Sequence, residues 1–150
     1  MSKVNESEAA MKKTTEELLL LLKNTSNINT YLTQQKDSIH TLELSEALEG
    51  LLTKKSISKS DCIRRSGLDR TYCYQIFSGT KRPSRDKLLA LCFAMGLTVE
   101  ETQELLKQTG YVMLYAKNER DSVILFSLYH DLTLTATNEL LFNMEFEPIE

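Results

Sequence analysis

The sequence predicts an all-α chain, and three observations predict it. Only five Gly and two Pro punctuate the 150 residues, so long helices with short turns are the default. No stretch alternates apolar and polar residues with the period of two that a half-buried strand requires. Ser, Thr or Asp stands repeatedly just ahead of an apolar-periodic run, where its side-chain oxygen can accept a hydrogen bond from a first-turn amide.

The elements follow in order. Glu6 to Lys23 has roughly helical spacing through Met11, Leu18, Leu21 and Leu22, and it reads as intramolecular core rather than a partner site. Asn24 to Asp37, rich in Asn, Thr and Gln, reads as a loop or a weak helix around Tyr31 and Leu32. Leu42, Leu44, Ala47, Leu48, Leu51 and Leu52 mark an amphipathic helix ending at Lys54 and Lys55, cations suited to the negative end of the helix dipole. Ser58 caps a helix through Arg65, and Gly67 ends it where a left-handed residue costs least. Asp69 caps Arg70 to Phe77, which stops at Ser78 and Gly79. Ser84 caps a helix to Met95 closed by Gly96, and Thr98, with Glu101 completing a capping box, opens Val99 to Gln108.

The last third repeats what precedes it. Arg85 to Leu114 aligns with Arg120 to Ile149 at an offset of 35 with 8 identities in 30 positions, among them Arg85-Asp86 with Arg120-Asp121 and Glu104-Leu105-Leu106 with Glu139-Leu140-Leu141. A helix pair used twice is expected to stack on its copy to bury an apolar stripe, as helical repeats do. The expected organisation is an N-terminal helical extension over 1–40, a central domain over 41–110, and a C-terminal helical hairpin over 111–150.

Several functional classes fall away. The longest apolar run, Leu18 to Leu22, is far short of the ~20 residues of a membrane span, and it lacks the cleavage site of a secretory signal. Cys62, Cys73 and Cys92 form an odd, widely spaced set without CxxC or a nearby His pair, so neither a disulfide framework nor zinc is expected and a cytoplasmic setting fits. With only His40 and His130, and no Gly-rich phosphate loop or nucleophile elbow, neither an enzyme nor a cofactor is expected. The cysteines fall on apolar faces and read as small hydrophobes, with Cys73 the one whose oxidation would matter. His130 reads as a capping or surface residue.

Residues 58–79 have the layout of a helix-turn-helix, with Gly67 in the turn and Cys62, Leu68, Cys73 and Ile76 as apolar anchors. With flanks from about 42 to 106, this stretch resembles the lambda repressor-like helix-turn-helix family, often called the XRE family. The resemblance is carried by Ile57-Ser58-Lys59-Ser60-Asp61-Cys62, Ser66-Gly67-Leu68-Asp69-Arg70-Thr71, Gln75-Ile76-Phe77-Ser78-Gly79, Lys81-Arg82-Pro83-Ser84 and Leu88 to Leu97. It departs at Ile63, where the family usually has Ala, and at Phe77, often acidic there. It implies a five-helix lambda repressor-like domain that enters the major groove of double-stranded DNA with the start of its second motif helix.

On that resemblance, Arg70, Thr71, Tyr74 and Gln75 are the expected base contacts. Arg70 suits guanine O6 and N7, and Gln75 suits adenine. Thr71 packs on a thymine methyl or binds phosphate, and Tyr74 meets sugar or base or covers Ile63. Tyr72 is core or edge packing. Ser58, Lys59, Lys81 and Arg82 resemble the family's phosphate clamps. Charge placement agrees: residues 54–87 carry ten basic and three acidic side chains, a net of +7, although the whole chain sums to -3, leaving -10 elsewhere. The expectation is a DNA-binding transcriptional regulator, a homodimer on a palindromic site. Its rival is an adaptor or antitoxin-like module that sequesters a partner through its acidic C-terminal hairpins, and the N- or C-terminal helices are the expected surface for a protein partner.

Overall fold

The computed structural model describes residues 13–35 and 43–150, and among these every regular element is a helix. The chain divides into two compact units, Met1–Thr41 and Leu42–Glu150. In the first, α1 (Thr15–Asn24) is capped by Thr14 and α2 (Ile28–Gln34) by Asn27, and the two pack on each other. The weak helix expected around Tyr31 and Leu32 is therefore α2, with Tyr31 buried. No residue of α1 is fully buried: Leu18 and Leu21 are half-buried and Leu19, Leu20 and Leu22 exposed. The part of that expected helix before Lys13, and the start of the next at Leu42, lie outside the described residues.

The second unit begins with α3 (Leu44–Lys55), α4 (Lys59–Ser66) and α5 (Arg70–Ser78). Two hairpins follow, α6 (Arg85–Ala94) with α7 (Val99–Gln108) and α8 (Glu119–Tyr129) with α9 (Leu134–Asn143). Each helix from α4 to α9 has a side-chain N-cap: Ser58, Asp69, Ser84, Thr98, Asn118 and Thr133. Their oxygens accept from the amide three residues on, satisfying a donor that the first turn leaves orphaned. Thr98 and Glu101 form the expected capping box.

One core runs through the unit. α3 packs on α5, and α4 on α6. Leu48, Cys62, Cys73, Ile76, Leu88, Leu91, Leu106, Ile124 and Leu141 are fully enclosed. Ile63 and Phe77, the two departures from the family pattern, are both buried in it.

The two hairpins match position by position at the offset of 35. Gln103 donates its amide to the Leu114 carbonyl and accepts from the Leu114 N–H at 2.8 and 2.7 Å, and Asn138 does the same for Ile149 at 3.1 and 2.7 Å. Arg85 donates to the carbonyls of Val112 and Met113, and Arg120 to those of Glu147 and Pro148. The left-handed turn residues Gly96 and Gly110 of the first copy are matched by Asp131 and Glu145 (φ 54° and 65°) in the second.

The copies pack on each other as expected, but reciprocally rather than by translation. Arg85 forks onto Asp121 at 3.0 and 2.8 Å, and Arg120 forks onto Asp86 at 3.1 and 2.8 Å. Likewise α8 packs on α7 and α9 on α6. Contacts that are returned in this way require a two-fold relation between the copies, because a translation would leave one partner of each pair facing outward.

Candidate nucleic-acid interface

The turn between α4 and α5 is built from local chemistry. Gly67 adopts φ +69°, where a side chain would be strained although nothing lies within 4 Å of the Cβ position. Before it, the buried Ser66 hydroxyl donates to the Ile63 carbonyl at 2.7 Å and accepts from the Leu68 N–H at 3.2 Å. Asp69 then accepts from the Tyr72 N–H at 2.9 Å and starts α5. Cys73, Ile76 and Phe77 point inward from α5, and Leu68 packs against the same core.

That burial fixes which face of α5 looks out. Arg70, Thr71 and Tyr74 are exposed and Gln75 is half-buried, so positions i, i+1, i+4 and i+5 form one outward face. The Arg70 guanidinium lies 5.6 Å from the Tyr74 ring centroid, so Tyr74 supports that cation from below. The Gln75 carbonyl accepts from the N–H groups of Thr80 and Lys81 and from the Ser78 hydroxyl, which holds the loop with the exposed Lys81 against the end of the helix.

The four phosphate-contact candidates are not all presented alike. The Ser58 hydroxyl already accepts from the Asp61 N–H as the cap of α4. Lys59 pairs with Glu49 at 2.6 Å and stands 5.4 Å over the Phe77 ring, so an apolar residue in place of the family's acid gives that lysine an aromatic floor. Lys81 remains beside α5. Arg82 turns the other way: it donates to the Thr109 carbonyl at 2.6 Å and lies 4.3 Å over Tyr111, whose hydroxyl donates to the Pro83 carbonyl. The structure thus groups Arg70, Thr71, Tyr74, Gln75 and Lys81, and sets Arg82 against the end of α7.

A further cation joins the edge of this face. Lys87, in the first turn of α6, lies 4.8 Å over the half-buried Tyr72 ring. In the sequence Lys87 figures only in the count of ten basic residues over 54–87.

Charge on the basic segment is partly answered by carboxylates from outside it. Lys54 and Lys55 both close on Glu101, at 2.8 and 2.6 Å, Lys59 on Glu49 and Arg85 on Asp121. Counting those three carboxylates, and Arg120 from outside on Asp86, brings the +7 of residues 54–87 to +5. Burial pushes Glu101 up, but hydrogen bonds from Lys54, Lys55 and the Thr98 amide outweigh it and hold the carboxyl at about 2.

The three cysteines are enclosed, and burial pushes the thiols of Cys62 and Cys92 up to about 12 and raises that of Cys73. Among the described residues no group of three His, Cys, Asp or Glu is placed to hold a metal ion, and no helix is long and apolar enough to cross a membrane. No family model, no curated protein and no solved structure matches this chain.

Proposed function

We propose that α3 to α7 form the five-helix, lambda repressor-like DNA-binding domain that the sequence resembles, and that the chain is a cytoplasmic, non-catalytic transcriptional regulator. The observation that carries this reading is the outward face of α5. It holds a supported arginine, a hydroxyl and a carboxamide on a helix whose opposite side is locked into the core. Arg70 and Gln75 read base edges in the major groove, Thr71 and Tyr74 flank them, and Lys81, Lys87, Ser58 and Lys59 meet phosphate. Arg82 contributes through its remaining guanidinium donors, since one bond to Thr109 leaves four N–H groups. A homodimer would place two copies of α5 about 34 Å apart on a palindromic site.

The test is selection of genomic fragments by the purified chain at moderate salt, followed by gel retention with the double variant Arg70→Ala, Gln75→Ala. Sequence-specific retention should be lost in the variant, and wild-type affinity should fall steeply as salt rises. Absence of any enriched fragment, or retention indifferent to both substitutions, sinks the reading.

A second reading is supported by the drop from +7 to +5, because internal ion pairing reduces what is left for phosphate. On it, the helix-turn-helix is a scaffold for an adaptor or antitoxin-like subunit. Binding of a protein partner that the α5 variant leaves intact would favour it.

A further inference from the structure

The two-fold relation of the hairpins leaves one apolar face covered in the first copy and uncovered in the second. On α6, Leu91 and Ala94 are 0% and 5% exposed, with α4 as a principal neighbour of that helix. Their counterparts on α8, Phe126 and Tyr129, are 50% and 64% exposed. The principal neighbours of α8 are α7 and α9, and among the described residues no helix packs on it as α4 packs on α6. Beside Phe126 runs an apolar groove of about 640 Å³ lined by Val123, Leu140, Met144 and Phe146, with Glu119 at its rim.

The geometry points to a docking site for a basic amphipathic helix of a partner protein in the groove between α8 and the end of α9. Two features select this occupant. The first is the covered copy itself: the helix packed on α6 is α4, which turns Cys62, Ile63 and Ser66 toward the core and carries Lys59, Arg64 and Arg65, the first two paired with Glu49 and Asp61 rather than with the hairpin. The second is charge. Residues 119–150 hold seven carboxylates against the single cation Arg120, which is committed to Asp86. Glu119 lines the groove, and Glu145 and Glu147, exposed, are the chain neighbours of its lining residues Met144 and Phe146. A second copy meeting this face with its own would bring like charges together, whereas lysines or arginines flanking an apolar stripe would be drawn in.

The site is independent of DNA binding by α5, so either can fail alone. The probe is a synthetic amphipathic peptide with leucine on one face and lysine on the other, titrated into the full chain by fluorescence anisotropy, with a leucine-glutamate peptide of the same pattern as control. The lysine peptide should bind and the glutamate peptide should not. Phe126→Ala with Met144→Ala removes two half-exposed side chains, which spares the core, and should weaken binding at least about tenfold. Leu19→Ala with Leu20→Ala, on the exposed α1, should leave it unchanged. Equal binding of both peptides, binding indifferent to the α8 variant, or loss only in the α1 variant overturns the proposal. So does sedimentation showing wild-type self-association that the α8 variant abolishes, for then the occupant is a second copy.

Discussion

Asp121→Asn removes a charge from the more enclosed of the two reciprocal pairs while keeping the side chain's shape. The Asp121 side chain is 9% exposed and that of Arg85 25%, whereas Asp86 is 30% and Arg120 22% exposed. Both pairs are forked, but Asp121 also accepts the Tyr115 N–H at 2.9 Å. Burial pushes its carboxyl up, and the hydrogen bonds from Arg85 and Tyr115 more than reverse that, leaving it below the ordinary carboxylate range. Removing one partner of a buried pair costs about 3–5 kcal/mol, against about 0.2–1 kcal/mol for an exposed pair. Asp121→Asn should therefore cost about 3 kcal/mol and Asp86→Asn about 1 kcal/mol. At roughly 3 °C per kcal/mol for a chain of this size, thermal unfolding followed by circular dichroism should show midpoints lowered by about 9 °C and about 3 °C. Adding Arg85→Met completes a double-mutant cycle, whose coupling with Asp121→Asn should exceed about 1 kcal/mol. Equal losses for the two Asn variants, or coupling near zero, would refute the view that these pairs hold the hairpins together.

The pH response of the Lys54, Lys55 and Glu101 cluster has a definite sign. Because Glu101 sits at about 2 rather than 4.5, its ion pairs contribute fully above pH 4.5 and are lost as pH falls toward 2. Glu101→Gln should cost about 2 kcal/mol at pH 7 in urea titrations, and the difference from wild type should close over that acid window. Glu145→Gly should stabilise by roughly 0.5–1 kcal/mol, since a left-handed β-carbon is removed at φ 65°; a loss of stability in the same titration would contradict that. Finally, Cys62, Cys73 and Cys92 should resist a thiol reagent near neutral pH until the chain is unfolded, because each is enclosed and its thiolate is disfavoured. Rapid labelling of the native chain would show that one of them opens to solvent.

What was legible in the sequence was what short-range chemistry decides. Ser58, Asp69, Ser84 and Thr98 announce their helices because a cap acts over three residues, and Gly67 marks a turn whose φ demands it. The outward positions of α5 follow from the apolar spacing of Cys73 and Ile76. Long-range chemistry was not legible. Nothing near Arg82 in the sequence shows that its guanidinium donates to the Thr109 carbonyl, 27 residues away. Nor does the +7 of residues 54–87 show that Glu49, Glu101 and Asp121 close on the segment. The offset of 35 reveals a duplication, but similarity between copies is the same whether they stack or face each other. The second copy is also partly disguised, because Asp131 and Glu145 hold turns that Gly96 and Gly110 hold in the first.

The returned Arg–Asp pairs bear on how a whole molecule could associate. A surface that matches itself across a two-fold axis is what a homodimer normally presents to its twin. In this chain each hairpin has met its twin within one polypeptide, so that self-complementary surface is turned inward and closed. A pairing of two whole chains must then be made by other residues, and it carries no memory of the axis that relates the hairpins. The duplication therefore acts as an internal keystone.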